Sequence, residues 1–323
     1  MADEKLPNIT DLSQLSVKNS VNLETGVLTT AWTHFTADDK AYIGRRSQQS
    51  PFELELADFV AGLEQVPDDA IYPKIPAGTH ITIAPESIYD GAVFIKRIDF
   101  DRVRRFRTDI TFAKEEGLGE ALAMEKVSKT PHPYIVQYHG CSIQRGRITR
   151  IVLEKLRYSL SEKLDRIDKE AFLAGVESAI KFLHSLGLAH NDLRPANIMV
   201  READDGSFMP VLIDFGSCAP FGARIHGRGS LDFVDLEDKE SFISHARHDE
   251  FSLKRLYEWW DEDHKKGKHE LIKVLRDKLA AYRSKEGKDM EDVEDMKNMK
   301  DMKDMEDMED MEDDVEDTAD PKA

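Results

Sequence analysis

Two short stretches constrain this chain more than any other feature. One is His190-Asn191-Asp192-Leu193-Arg194-Pro195-Ala196-Asn197-Ile198-Met199-Val200; the other is Leu212-Ile213-Asp214-Phe215-Gly216. The apolar runs beside them read as short strands, so each carboxylate falls where a strand gives way to a loop. Asp192 and Asn197 are five positions apart, and Asp214 follows after the length of one hairpin. A carboxylate, an amide and a second carboxylate converging on one point suit a hydroxyl nucleophile and one or two Mg²⁺ ions.

Composition narrows the setting. With 323 residues, 40% of them hydrophobic, the chain has room for one large domain or two lobes. No apolar run is long enough to span a bilayer. The start, Met1-Ala2-Asp3-Glu4-Lys5, lacks the basic-then-apolar pattern of a secretory signal. Cys141 and Cys218 have neither metal-ligand spacing nor the count of a disulfide framework, so an intracellular, reducing compartment (cytoplasm or nucleus) is expected. The net charge of -18 is unevenly spread: residues 288–323 hold 17 acids and 5 bases, leaving a net of -6 for the rest. A mildly acidic globular part gives nucleic-acid binding no electrostatic support.

In chain order, Val27 to Thr33 is rich in strand formers, and Lys40 to Ile43 is placed to pair with it across Ala37-Asp38-Asp39. A helix is expected next, capped by Ser50 and opened by Pro51, with Phe52, Leu56, Phe59, Val60 and Leu63 on one face. Thr79 to Pro85 reads as a strand stopped by proline. Ala92-Val93-Phe94-Ile95-Lys96 reads as another; a buried ammonium at its end needs a carboxylate partner. The following helix offers Glu120, which shares a face with Met124 and Val127; Glu125 and Glu116 compete for the role. Gly117 and Gly119 are expected at the entry to that helix. Ile148 to Leu153 is a further strand. Asp168 to about Leu186 has the best helical pattern, with Asp168 as cap, Phe172, Val176, Ile180 and Leu183 as its stripe, and Gly187 as a left-handed stop. His248 opens a helix to Trp260, and Leu271 to Tyr282 is the last helix expected. Met296, Met299, Met302, Met305, Met308 and Met311 recur every three residues among charges, a period that sustains no apolar face on a helix.

His190-Asn191-Asp192-Leu193-Arg194-Pro195-Ala196-Asn197 followed by Asp214-Phe215-Gly216 resembles the ordered motif pair H-R-D-L-x-x-x-N and D-F-G of protein kinases, and Ala92 to Lys96 resembles their V-A-I-K strand. The likeness covers roughly residues 80–285 and points to a short, divergent protein-kinase-like protein of a fungal type. It implies an α+β, bilobal fold: a small β-rich lobe with one helix, and a shortened, mostly α large lobe. The expected parts are a partly structured extension over 1–78, the small lobe over 79–153, the truncated large lobe over 154–286, and a disordered acidic tail over 287–323.

The resemblance also assigns roles. Asp192 would orient a substrate hydroxyl and accept its proton, Arg194 would steady the transferred phosphoryl group, and Lys96, paired with Glu120, would contact nucleotide phosphates. Asn197 and Asp214 would hold Mg²⁺. Backbone groups at Glu154 and Leu156 would meet the adenine of ATP, with Leu153 at the back of the pocket. Asn191 stands where many relatives have an arginine that clamps an activation-segment phosphate, so control by such a phosphate is not expected. Asp249 has two readings, a brace beneath the catalytic loop or a helix N-cap. Ser217, Ser230 and Ser241 read as ordinary exposed serines. The implied partner is a protein or peptide carrying a hydroxyl, with neither nucleic acid nor membrane, while the acidic tail suits a basic surface.

Two features depart from the family. No G-x-G-x-x-G precedes Lys96, where Gly78 stands alone, and no A-P-E follows Asp214. These keep a second reading open, a pseudokinase that binds nucleotide or partners without efficient turnover. A small-molecule kinase of the aminoglycoside-phosphotransferase type is a third, against which Phe215-Gly216 argues. The active-kinase and nucleotide-binding readings both place Lys96 against Asp214, so that one distance tests them together.

Overall fold

The chain begins with a meander whose residues are chosen for a pleated surface. β1 (Ser16–Val21), β2 (Leu28–Phe35), β3 (Ala41–Ser47) and β4 (Glu64–Val66) form one antiparallel sheet in sequence order. β2 is rich in threonine and aromatic side chains, and its Trp32 is wholly buried. Gly44 lies opposite Trp32 on β3, where an added Cβ would come within 2.1 Å of the indole ring, so only glycine fits. The indole N–H donates to the Phe59 carbonyl at 2.8 Å, and the two rings meet edge to face at 4.9 Å. The computed structural model describes residues 6–21, 27–47, 51–91, 93–97, 111–160, 162–163, 166–203, 205–225 and 231–263.

The expected pairing across Ala37-Asp38-Asp39 is present, from Thr29↔Ser47 to Phe35↔Ala41. The helix after it is shorter than its apolar pattern suggested. Pro51–Glu53 is a single 3₁₀ turn, and α1 (Leu56–Ala61) starts only after Glu55, which forms a capping box with Asp58. Phe52 is therefore solvent-exposed, whereas Phe59 and Leu63 are buried. A short α2 (Asp68–Ile71) closes this part.

A second sheet holds β5 (Val93–Lys96), β6 (Tyr138–Gln144) and β7 (Arg147–Glu154) in the order β5-β7-β6, all antiparallel. The expected strand over Thr79–Pro85 is reduced to one parallel bridge, Ile83 to Cys141, flanked by Cys141 N–H to the Thr82 carbonyl (2.8 Å) and Ala84 N–H to the Cys141 carbonyl (3.0 Å). A Cβ at Gly140 would sit 2.7 Å from the Ala84 nitrogen, which explains the glycine there. A 3₁₀ turn over Glu86–Asp90 leads into β5. α3 (Thr111–Ser128) packs on this sheet through Ala121, Ala123, Met124 and Val127, and contains Gly117 and Gly119 well inside it rather than at its entry.

The remaining elements are β8 (Tyr158–Ser159), α4 (Lys169–Ser185), β9 (Leu188–Ala189), β10 (Ile198–Glu202), β11 (Phe208–Leu212), β12 (Ala219–Pro220) and α5 (Ala246–Glu258). Asp168 caps α4 by accepting from Ala171 N–H at 2.9 Å, and Gly187 ends it with φ +68°. Phe172, Leu173, Val176, Ala179, Ile180 and Leu183 are buried along α4; each large apolar side chain there contributes roughly 1.5–3 kcal/mol. α4 thereby fixes the position of β9, which pairs with β12 (Ala189↔Ala219), while β10 and β11 form the hairpin between the two motifs. Asp214 and the loop from His190 to Asn197 stand at adjacent ends of these strands. The expected helix over Leu271–Tyr282, the methionine-rich tail and Ser230 lie outside the described residues. Among the described residues no helix is long and apolar enough to cross a membrane.

Candidate active site

Lys96, at the end of β5, reaches two carboxylates at once. Its Nζ lies 2.6 Å from Glu120 Oε1 on α3 and 2.7 Å from Asp214 Oδ1 just beyond β11. Glu120 is buried and also accepts the Phe215 N–H at 3.2 Å, tying α3 to the Asp-Phe-Gly turn. Of the two competing acids, Glu125 is occupied elsewhere and Glu116 lies beside Gly216. Glu125 accepts from Thr82 N–H (2.6 Å), Thr82 Oγ1 (3.1 Å) and Tyr138 Oη (2.7 Å). Glu116 has its Oε1 2.7 Å from where a Cβ on Gly216 would stand.

Charge coupling follows from this packing. Burial on its own would lower the Lys96 pKa, but Glu120 and Asp214 outweigh it and hold the ammonium well above its ordinary value. Burial likewise opposes ionisation of Asp214, and the adjacent ammonium overcomes it, bringing that carboxyl down to about 2. Asp192 goes the other way. Burial pushes its pKa up, against the pull of His190 and Arg194. The two aspartates thus sit on opposite sides of the usual carboxylate value, one a fixed anion and one a better proton acceptor.

The loop bearing Asp192 is braced from beneath. Asp249, fully buried in the first turns of α5, accepts the N–H groups of His190 and Asn191, both at 2.8 Å, and contacts His184 Nε2 at 2.9 Å. This settles its two readings: α5 is preceded by His245, and Asp249 is the brace. Asn191 and Asp214 have φ of +60° and +62°, left-handed conformations that Asn and Asp tolerate better than other non-glycine residues. Asn197 Nδ2 donates to the Asp192 carbonyl at 2.8 Å. Phe215 is buried and meets the His190 ring edge-on at 5.2 Å, in the same core cluster as Met124.

Two buried polar atoms here form an ion pair without a hydrogen bond. Asp192 Oδ1 and Arg194 Nε are buried, 3.4 Å apart, and neither makes a hydrogen bond. Such atoms cost free energy unless something else meets them. At the far side, Leu153, itself on β7, is buried, while the Glu154 carboxylate is engaged by Gln137 N–H (2.8 Å) and Arg201. Glu154 thus offers a ligand neither its carboxylate nor its N–H, which donates to the Gln137 carbonyl at 3.0 Å, and Leu156 packs by its side chain against the core.

Sequence reasoning missed several participants. Asn191 is not a passive substitute: its amide donates to the Ala189 and Ser217 carbonyls and to Ser244 Oγ, each at 3.0 Å. Ser217, read as exposed, is buried in this contact because its segment folds back under the loop. Asp39, in the turn between β2 and β3, is fully buried and accepts from Thr149 Oγ1 (2.8 Å) and Arg150 Nε (2.6 Å) on β7, with Arg97 Nε at 3.7 Å. No local pattern signals a contact between residues more than a hundred positions apart.

The protein kinase domain family matches residues 89–233, a span that starts just before β5 and includes Lys96, Glu120, the catalytic loop and Asp214. A serine/threonine-protein kinase/endoribonuclease IRE1 from Hypocrea jecorina (strain QM6a) is 31% identical over 99 residues, covering 27% of this chain and 8% of that protein. The maternal embryonic leucine zipper kinase of Xenopus tropicalis is 25% identical over 166 residues, covering 50% of this chain and 22% of that protein. Human serine/threonine-protein kinase/endoribonuclease IRE2 is 37% identical over 95 residues, 27% of this chain and 10% of that protein. The chain thus spans less than a quarter of the length of these relatives. With the kinase domain matched over residues 89–233, around this site, and with sheets and helices mixed as they are, this part of the chain is protein-kinase-like, with an α+β kinase-like fold.

Proposed function

We propose that the chain is an ATP- and Mg²⁺-dependent phosphotransferase acting on protein hydroxyls, serine or threonine by the character of its relatives. The observation that carries this reading is the Lys96 ammonium held between Glu120 and Asp214 at 2.6 and 2.7 Å, opposite a buried Asp192 Oδ1 with no hydrogen-bond partner. Residues 79–153 would grip the nucleotide, with adenine against the backbone of Glu154 and Leu156 over Leu153, and Lys96 on its phosphates.

The donor set fits magnesium. Asp214 and Asn197 offer hard oxygen ligands. That suits an ion bound by one or two protein oxygens together with phosphates. When bound there, Mg²⁺ would neutralise charge on the β- and γ-phosphate oxygens. The chain's own residues do the rest. Asp192 accepts a hydrogen bond from the substrate hydroxyl and takes its proton as that oxygen bonds to the γ-phosphorus. The bond from that phosphorus to the β,γ-bridging oxygen breaks, and ADP leaves. Arg194 steadies the transferred group, which relieves its own buried Nε. Positioning and charge stabilisation dominate such a transfer.

The test is transfer of labelled phosphate to the protein itself and to a broad peptide panel. Wild type should transfer; Asp192→Asn should lose at least about a hundredfold while retaining its fold. Absence of transfer by wild type would overturn the active reading.

A 3₁₀ turn leading into β5, in place of a glycine-rich strand pair among the described residues, favours a second reading as a pseudokinase. Thermal unfolding with ATP and Mg²⁺ separates the two: ligand at 100 times its Kd adds about 2.7 kcal/mol, and binding without transfer would select the second.

A further inference from the structure

His248 lies nearly fully buried on α5, between the loop that carries Asp192 and the segment that follows Asp214. Its Nδ1 is 2.9 Å from Asn191 Oδ1 and its Nε2 is 3.0 Å from Asp238 Oδ2. Both partners are acceptors. The Asn191 amide cannot be turned round, because its other end faces the Ala189 and Ser217 carbonyls at 3.0 Å, and neither can donate. Ser244 Oγ, also at 3.0 Å from Asn191 Nδ2, spends its own proton on the Ala219 carbonyl. Asp238 is held ionised, its pKa pulled far down by the Arg247 guanidinium at 3.1 Å. A neutral imidazole has one N–H and would leave one of these acceptors facing a lone pair.

We propose that His248, as the doubly protonated imidazolium, is a positioning residue that locks the segment around Asp238 to the catalytic loop, so that this segment is held in place without a phosphate and released when the ring loses its proton. The connection is continuous: Arg247 to Asp238, Asp238 to His248, His248 to Asn191, and Asn191 to Ser217 and Ser244 on the two flanks of the segment. Asn191 immediately precedes Asp192, so the same ring steadies the proton acceptor.

Of the charged and titratable neighbours, the Asp238 carboxylate in contact with the ring favours the cation, and the Arg247 guanidinium on the same carboxylate opposes it. From the segment, Asp238 contacts the ring, and Glu240 lies just beyond it, bound to Arg247 at 2.9 Å. From α5 and its cap come Arg247, Asp249 and His245; the His245 ring is edge-on at 5.8 Å and 3.4 Å from Glu240. Asp249 is taken up by His190, Asn191 and His184 on the catalytic-loop side. Folded-state stabilisation of the cation is fully present below the unperturbed imidazole pKa of about 6.5 and is lost as pH rises through the higher folded value.

The test uses the full chain and has two arms independent of turnover. In the first, NMR titration of the His248 ring should give a midpoint above about 6.5, and Asp238→Asn, a change at a partly exposed side chain, should lower it by about one unit. In the second, amide exchange in residues 231–246, corrected for its intrinsic pH dependence, should speed up at least about tenfold as pH passes that midpoint, and should lose this step in Asp238→Asn. A midpoint at or below about 6.5, or protection unchanged across it, would overturn the proposal. A kinetic arm rests on the proposed phosphotransfer: kcat should fall on the alkaline side at the same midpoint, and that limb should move to lower pH in Asp238→Asn. If the chain transfers no phosphate, the first two arms still decide the role of His248.

Discussion

The two ends of the proposed active site are secured in different ways. The end that would meet the hydroxyl is held by neighbours in its own motif and by one buried acid, Asp249, that takes two backbone N–H groups of the loop. The end that would meet the nucleotide rests on β5 and β7, and those strands are buttressed on Arg150, Thr149 and Arg97 by Asp39 of a separate N-terminal sheet. Further ties join the same surfaces: Arg145 to the Asp38 carbonyl at 2.6 Å and to Asp68, Arg147 to the Tyr72 carbonyl at 2.8 Å, and Lys114 of α3 to the Asp69 carbonyl at 3.1 Å. The lesson is that the described residues before Thr79 are not a loose appendage. They are placed to steady the sheet bearing Lys96 and the helix bearing Glu120.

That contrast can be broken from either side. Asp249→Ala removes the acceptor of two buried N–H groups and should cost about 3–5 kcal/mol in urea unfolding, the largest effect expected. Asp39→Ala leaves Arg150 and Thr149 without their buried acceptor and should cost about 2–4 kcal/mol. Its further signature is weaker nucleotide binding with the catalytic-loop amides still protected from exchange; loss of protection at both ends would erase the distinction. Gly44→Ala forces a methyl into the Trp32 ring and should cost about 1–3 kcal/mol by overpacking, read from the same unfolding curves.

The pH dependence sharpens the comparison chemically. Asp192 acts as its anion, and burial raises its pKa, so kcat/KM should rise with pH through a value above the ordinary carboxylate figure of about 3.9. An acid limb at or below that figure would contradict the buried setting. Asp214 contributes no limb there, since its carboxyl stays ionised down to about 2. The smallest effect concerns the ion: calorimetry should show no Mg²⁺ binding at millimolar concentration without nucleotide, because too few protein oxygens converge.

How much of this could be read from the sequence follows from how local each contact is. The placing of Asp192, Asn197 and Asp214 at neighbouring strand ends was legible because they sit in contiguous motifs, and the Glu120 pairing with Lys96 because helical spacing puts Glu120 on the face of Met124 and Val127. The cap and stop of α4 were legible for the same reason, Asp168 before the apolar stripe and Gly187 after it. Phe52 was misplaced because its apolar spacing continues that of Leu56 and Phe59 across a break that Glu55 and Asp58 impose by capping. Asp39, Glu125 and His248 were illegible, because each acts on a partner tens to more than a hundred residues away and none bears a local signature. A motif shows which groups do chemistry; the groups that hold them still come from the fold.

Isothermal titration of the full chain with ATP and Mg²⁺, for wild type and Asp214→Ala, tests the central claim most directly. The account predicts saturable binding that needs the metal and weakens at least about tenfold in the variant. No binding by wild type, or equal binding by both, would contradict it.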